Sequence, residues 1–173
     1  MSPMRVIRVY IPATLTLLRA WVGAKELRPV SGTAFALTPT LRERYTSSDT
    51  EELEYVAMSE AARASLRLLA AEFEHDPRVS ARRVVVAADV AQPRQRPELG
   101  EAAVALPGAG PLAAVAAVHV DLAEAEDAVR RAAVAVQAAD SGDPDAEFTI
   151  GDAEDHEMAW YATQEIPFLL ELL

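Results

Sequence analysis

The sequence predicts an α/β or α+β protein, with helices packed against a mixed, partly parallel sheet of about five strands. Short runs rich in β-branched residues alternate with longer segments whose apolar residues recur every three or four positions. Several predicted strands are followed by a threonine or aspartate, residues that cap helices well. With 173 residues, of which 51% are hydrophobic and 25% charged, the chain is expected to form one domain over residues 1–173.

The first half of the chain gives two strands and three helices. The run at residues 5–11 fits a strand, which Pro12 is expected to end. Thr38 followed by Pro39 predicts a helix start, and Asp49 with Glu52 matches a capping box. The predicted elements are a strand at 5–11, a helix at 14–27, a strand at 33–37, a short helix to residue 45 and a long helix to residue 74.

The second half adds three main strands, a short edge strand and two helices. The apolar run at residues 82–89 is typical of a central strand, and residues 91–111 predict a loop rich in proline and glycine, with a short edge strand near 102–106. A strand at 115–120 precedes a helix to residue 139 that Asp121 and Glu124 are expected to cap. Residues 140–155 predict an acidic loop. Residues 158–162 fit a strand before a terminal helix that begins at Thr163, and a continuous helix from Asp155 is the alternative.

Composition excludes several classes of function. The chain has no cysteine, so disulfides, thiolate metal sites and cysteine nucleophiles are impossible, and the cytoplasm is the expected compartment. A net charge of −11 argues against duplex nucleic acid as a partner. Arginines interrupt the first apolar run, so a signal peptide is not expected, and no segment is apolar and long enough to span a membrane.

Two carboxylates are the candidate catalytic residues. Asp89 and Asp121 each end a predicted strand, so a suitable strand order would bring them together for acid–base chemistry. Asp121 also has a structural explanation as a helix cap, and aspartates are common at strand ends.

Five residues are candidate binding residues. They are aromatic or hydroxyl side chains at the ends of the first and last predicted strands: Tyr10, Thr14, Trp160, Tyr161 and Thr163. If those strands are neighbours, the five line one cleft with convergent polar groups. The alternative is that the hydroxyls cap helices beside half-buried aromatic rings.

No metal or cofactor site is expected. His119 alternates with apolar residues in a strand, which favours a hydrogen-bonded structural histidine over a metal ligand. The acidic stretch at 140–155 lacks the spacing of a calcium-binding loop. The glycines near residue 108 lack the lysine and hydroxyl of a phosphate-binding loop, so no cofactor is predicted.

Six blocks of the sequence resemble a family of uncharacterised actinobacterial proteins, a domain of unknown function. The blocks cover residues 8–19 (RVYIPATLTLLR), 52–58, 62–69, 83–90 (RVVVAADV), 118–121 and 160–166 (WYATQEI). The resemblance implies an actinobacterial cytosolic protein and brings no activity, cofactor or catalytic residue with it.

The sequence therefore favours a non-enzymatic binding or regulatory module, whose acidic surface suits a basic protein partner or a homo-oligomer. The alternative is a small hydrolase or transferase that acts on a polar metabolite at the strand ends, with Asp89 and Asp121 as its carboxylates.

Overall fold

A main antiparallel sheet forms the centre of the protein. The computed structural model describes residues 6–91 and 93–173. Its strands are β1 (Val6–Ala13), β2 (Glu26–Leu27), β3 (Thr33–Ala36), β4 (Val84–Ala91), β5 (Arg94–Gln95), β6 (Ala103–Ala105), β7 (Gly110–Pro111), β8 (Val115–Val120) and β9 (Ala159–Ala162). Within this described part of the chain, seven strands pair in the order β5-β6-β3-β1-β4-β8-β9, every pair antiparallel, and β2 pairs separately with β7.

Helices cover both faces of the sheet. They are α1 (Leu15–Ala24), α2 (Pro39–Arg44), α3 (Thr50–His75), α4 (Glu126–Asp140), α5 (Pro144–Glu154) and α6 (Ile166–Leu172). On one face, α1 and α6 bury Leu18 and Leu169 with alternate residues of β1, β4 and β8. On the other, α3 covers Tyr10 and Val85, and α4 and α5 pack against the far half of α3 through alanines and short aliphatic side chains.

Local capping signals set the helix starts as the sequence predicts. The hydroxyls of Thr14 and Thr38 accept the N–H groups of Leu17 and Leu41, and the Asp49 carboxylate accepts that of Glu52. These bonds satisfy backbone donors that have no partner inside the helix. The strand at 158–162 is also confirmed, as β9, and the alternative of a continuous helix from Asp155 is wrong.

The expectation of a partly parallel sheet with about five strands is wrong, because the main sheet has seven strands and every pair is antiparallel. The expected mixture of helices and strands is confirmed. β3 and β4 run in the same direction and are connected through α3, but β1 lies between them and pairs with both. The connection from β8 to β9 contains two antiparallel helices instead of one, so the chain returns to the end of the sheet that it left. Alternation of strands and helices therefore does not make neighbouring strands parallel here.

Two local expectations also differ. Residues 144–154 of the predicted acidic loop form α5, because Asp143 caps the helix and Pro144 begins it. β1 continues through Pro12 instead of ending there. The missing N–H of Pro12 would point toward β3, but β3 pairs only with Val9 and Tyr10, so the proline removes no hydrogen bond between these strands.

No helix of the described residues combines the length and apolar character needed to cross a bilayer.

Candidate functional site

An open cleft of about 410 Å³ lies on the α3 face of the sheet, beside the edge strand β9. One wall is α3, the opposite wall is the segment from the end of α5 into β9, and β8 supplies part of the floor. Its aromatic and sulfur-containing side chains are Tyr55, Met58, Met158 and Trp160. Tyr55 is 68% exposed and Trp160 is 59% exposed, so both rings are accessible to a ligand.

The two arginines of the cleft are already paired with carboxylates. Arg83 is 3% exposed and forms a bidentate ion pair with Asp121, which is 1% exposed, with N–O distances of 2.8 and 2.7 Å. Its Nη2 also donates to the backbone carbonyl of His156 and so fixes the wall that leads into β9. Nη1 donates to no residue within 6–91 or 93–173, so both of its N–H groups remain available at the floor.

Arg63 belongs to a network that connects α3 to α4 and α5. Its guanidinium donates to Asp140 at 3.0 Å and to Glu147 at 2.6 Å, and Arg67 shares the Asp140 carboxylate. The hydrogen bonds from Arg67 and Arg63 hold the pKa of Asp140 below its usual range. The hydrogen bond from Arg63 likewise lowers the pKa of Glu147.

The remaining carboxylates of the cleft give it acidic character. Glu154 and Glu157 line it and make no ion pair with any residue that the structure describes. The imidazole of His119 also lines it, and burial lowers the pKa of this side chain, which favours the neutral form. A cleft whose arginines are neutralised, and whose glutamates are not, attracts cations.

The candidate catalytic aspartates do not meet. Asp121 lies opposite Arg83 at the start of β4, whereas Asp89 lies six residues further along β4, about 20 Å away at the strand rise. Asp89 pairs across β1 with Arg8 at 2.7 Å. Asp121 does not cap a helix either, because its carboxylate is occupied by Arg83, and a 3-10 turn at Ala123–Ala125 precedes α4.

The five candidate binding residues are not gathered in one cleft, because β4 and β8 separate β1 from β9. Thr14 is fully buried at the start of α1, and Thr163 donates to the carbonyl of Val115. Tyr161 packs on the α1 and α6 face, while Tyr10 donates to Glu54 on the other. Burial, reinforced by the Glu54 carboxylate, raises the pKa of Tyr10 to about 12. Of these five, all described by the structure, Trp160 alone lines the cleft.

Most of the residues that line the cleft could not be predicted from the sequence. Tyr55 and Met58 lie at helical spacing and are indistinguishable in sequence from core positions of α3. His119 was expected to be hydrogen-bonded, but its side chain bonds to none of the residues in 6–91 and 93–173, and it faces the cleft. The alternation of β8 was the usable signal, because it places His119 on the face opposite Val118 and Val120. Among the same residues, no group of three or more histidines and carboxylates is arranged to hold a metal.

Residues 7–170 match the model of a family described as a family of unknown function, DUF6912. The chain belongs to this family. Comparisons with curated proteins and with solved structures give no match. The family model covers nearly the whole described chain, including both walls of the cleft, and assigns no activity to it.

Proposed function

We propose that this protein is a cytoplasmic, non-enzymatic binding module, and that the cleft between α3 and β9 takes a basic segment of a protein partner. The observation that carries the proposal is the charge balance of the cleft, in which Arg63 and Arg83 are neutralised while Glu154 and Glu157 are not. A lysine or arginine side chain of the partner would lie against the Trp160 ring, with these carboxylates around its charged group.

The chain's overall charge supports the same class of partner. At −11, the protein attracts basic segments over a distance of about one Debye length, and this attraction weakens as salt is added. The exposed rings of Trp160 and Tyr55 supply apolar contact area of the kind that dominates binding energy at interfaces.

An enzyme that uses Asp89 and Asp121 together on a polar metabolite is not supported. The two carboxylates lie at opposite ends of β4, and each accepts hydrogen bonds from an arginine. Carboxylate oxygens that already accept hydrogen bonds from a guanidinium are not placed to take a proton from a substrate.

Fluorescence anisotropy with labelled peptides tests the proposal. An arginine-rich decapeptide is expected to bind the wild-type protein, and a glutamate-rich decapeptide of the same length is expected not to bind. Trp160→Ala and the double variant Glu154→Gln/Glu157→Gln are each expected to weaken binding by about tenfold.

The matched controls are Phe148→Ala, which removes an even more exposed ring outside the cleft, and Glu43→Gln/Glu171→Gln, which changes the net charge by the same amount on α2 and α6. These controls are expected to bind like the wild type. Equal weakening in the two double variants would mean that the peptide responds to net charge alone, and would overturn the assignment to the cleft.

A further inference from the structure

β9 forms an open edge of the main sheet, next to the cleft, and this edge indicates how the partner segment binds. We propose that the basic segment binds as an additional antiparallel β-strand along β9, so that alternate side chains enter the cleft. This inference rests on the proposed function, because the same cleft receives the side chains.

The two edges of the main sheet differ in how they are protected. β5 has two residues, one of them Arg94, and Pro93 and Pro97 lie close to its ends. Proline and charge are the usual means by which edge strands avoid pairing. β9 reads Ala-Trp-Tyr-Ala, with neither proline nor charge, and no strand of the described chain pairs with its outer side.

Two hydrogen bonds show which backbone groups of β9 face outward. The backbone N–H of Asp121 donates to the carbonyl oxygen of Arg83, so it points toward β4. Because backbone groups alternate in direction along a strand, the N–H and C=O groups of Val118 and Val120 point toward β9, where these residues lie opposite Tyr161 and Ala159. The N–H of Ala162 donates to the side chain of Glu165, on the outer side. By the same alternation, both the N–H and the C=O of Trp160 point away from β8 and are available to a new strand.

The side chain of Trp160 fixes what such a strand would carry. Residues directly opposite in an antiparallel pair place their side chains on the same face, so the residue that exchanges hydrogen bonds with Trp160 points into the acidic cleft. Every second residue of the partner strand is therefore basic, and those between point to the face that α6 covers.

A second copy of this chain fits the edge poorly. Two copies joined edge to edge at β9 would bring together the acidic residues that flank this strand, among them Glu157 and Glu165. Like charges held close together destabilise such a pair, and both copies carry a charge of −11. Charge therefore favours a foreign basic strand over self-association.

The probe is an octapeptide of alternating arginine and valine, made in three forms: unmodified, N-methylated at the arginines, and N-methylated at the valines. In the proposed arrangement the arginine N–H groups face β9. Methylation at arginine is therefore expected to weaken binding by about tenfold or more, and methylation at valine is expected to have little effect.

Amide hydrogen exchange supplies a second measurement on the wild-type protein. The amide of Trp160 is expected to exchange more slowly when the unmodified octapeptide is bound. Tyr161 is the internal control, since its amide already faces β8.

Equal binding of all three peptides, with no slowing at Trp160, would overturn strand addition and leave the basic-segment function standing. Greater sensitivity to methylation at valine would overturn the antiparallel arrangement. Failure of the unmodified arginine peptides to bind would instead overturn the proposed function itself.

Discussion

At the scale of single residues, the ion pair between Arg83 and Asp121 is distinguished by its burial. Its carboxylate oxygens accept three hydrogen bonds, from the Arg83 backbone N–H, Nε and Nη2. Charges removed from water in this way stabilise a protein only while both partners are present. Asp121→Asn is expected to lower the free energy of unfolding by about 3–5 kcal/mol, as measured by urea denaturation.

Asp89 supplies the control for this prediction, because its ion pair with Arg8 is about as short but the two side chains are 42% and 43% exposed. Asp89→Asn is expected to lower the free energy of unfolding by less than about 1 kcal/mol, since water screens an exposed ion pair and solvates the arginine that remains. Equal losses in the two variants would contradict the role assigned to burial.

His119 predicts a dependence of stability on pH. Burial lowers its pKa in the folded protein from the ordinary value of about 6.5. As the pH falls through 6.5, the unfolded chain binds a proton at this side chain before the folded protein does, so the free energy of unfolding decreases. This contribution is fully present above pH 6.5 and is lost as the pH falls toward the folded-state pKa.

Urea denaturation between about pH 5 and pH 8 checks this dependence. His119→Gln is expected to flatten the decrease in stability on the acid side of pH 6.5. His75→Gln, which removes an exposed histidine at the end of α3, is the matched control for the loss of one imidazole. An unchanged profile in His119→Gln would contradict the assignment.

At the scale of elements, Thr14 separates a structural role from a binding role. Its hydroxyl accepts the Leu17 N–H at 3.2 Å, and the side chain is fully buried between β1 and α1. Thr14→Val keeps the shape and removes the cap, so it is expected to cost about 1 kcal/mol of stability.

Binding of the arginine-rich decapeptide is expected to be unchanged in Thr14→Val. Thr16→Val, at an exposed position in the first turn of α1, is the control and is expected to change stability by less than about 0.5 kcal/mol. A loss of peptide binding with unchanged stability would return Thr14 to the candidate binding residues.

Elements whose signals are local could be predicted from the sequence. Caps such as Thr38 and Asp49 act on N–H groups three residues away, and the apolar run of β4 lies within one segment. The apparent cap at Asp121 failed for a reason that no local pattern contains. Its carboxylate has a stronger partner in Arg83, which is 38 residues distant in sequence.

At the scale of the whole molecule, the strand order determines which candidate site residues come together, and this order could not be predicted from the sequence. Placing β1 between β3 and β4, and β8 between β4 and β9, depends on pairings between distant segments. That order separates Tyr10 from Trp160 and Asp89 from Asp121, and it creates a cleft from residues of α3, β8 and β9 that share no sequence motif. Of the predicted site residues, all of which the structure describes, Trp160 alone lines the cleft.

The same order predicts that residues 1–173 unfold as one cooperative unit, in keeping with a single domain. β4 contributes to the cores on both faces of the sheet, and α3 connects one of these cores to α4 and α5 through Leu66, Leu69 and the Arg63 network. In Trp160→Phe the remaining tryptophan is Trp21, a residue of α1 that is buried against the opposite face of the sheet. Its fluorescence and the far-ultraviolet circular dichroism of the helices are expected to change at the same urea concentration.

Adding Asp140→Asn to that variant removes the carboxylate shared by Arg63 and Arg67, and weakens the connection between α3 and α4. If the chain is one cooperative unit, this change lowers the midpoints of both signals together, even though Trp21 lies far from the substitution in the fold. Loss of helical signal at a lower urea concentration than the change in Trp21 emission would show instead that α4 and α5 unfold separately. The wall of the cleft that the end of α5 forms would then unfold before the sheet does, and peptide binding would be lost at the earlier transition.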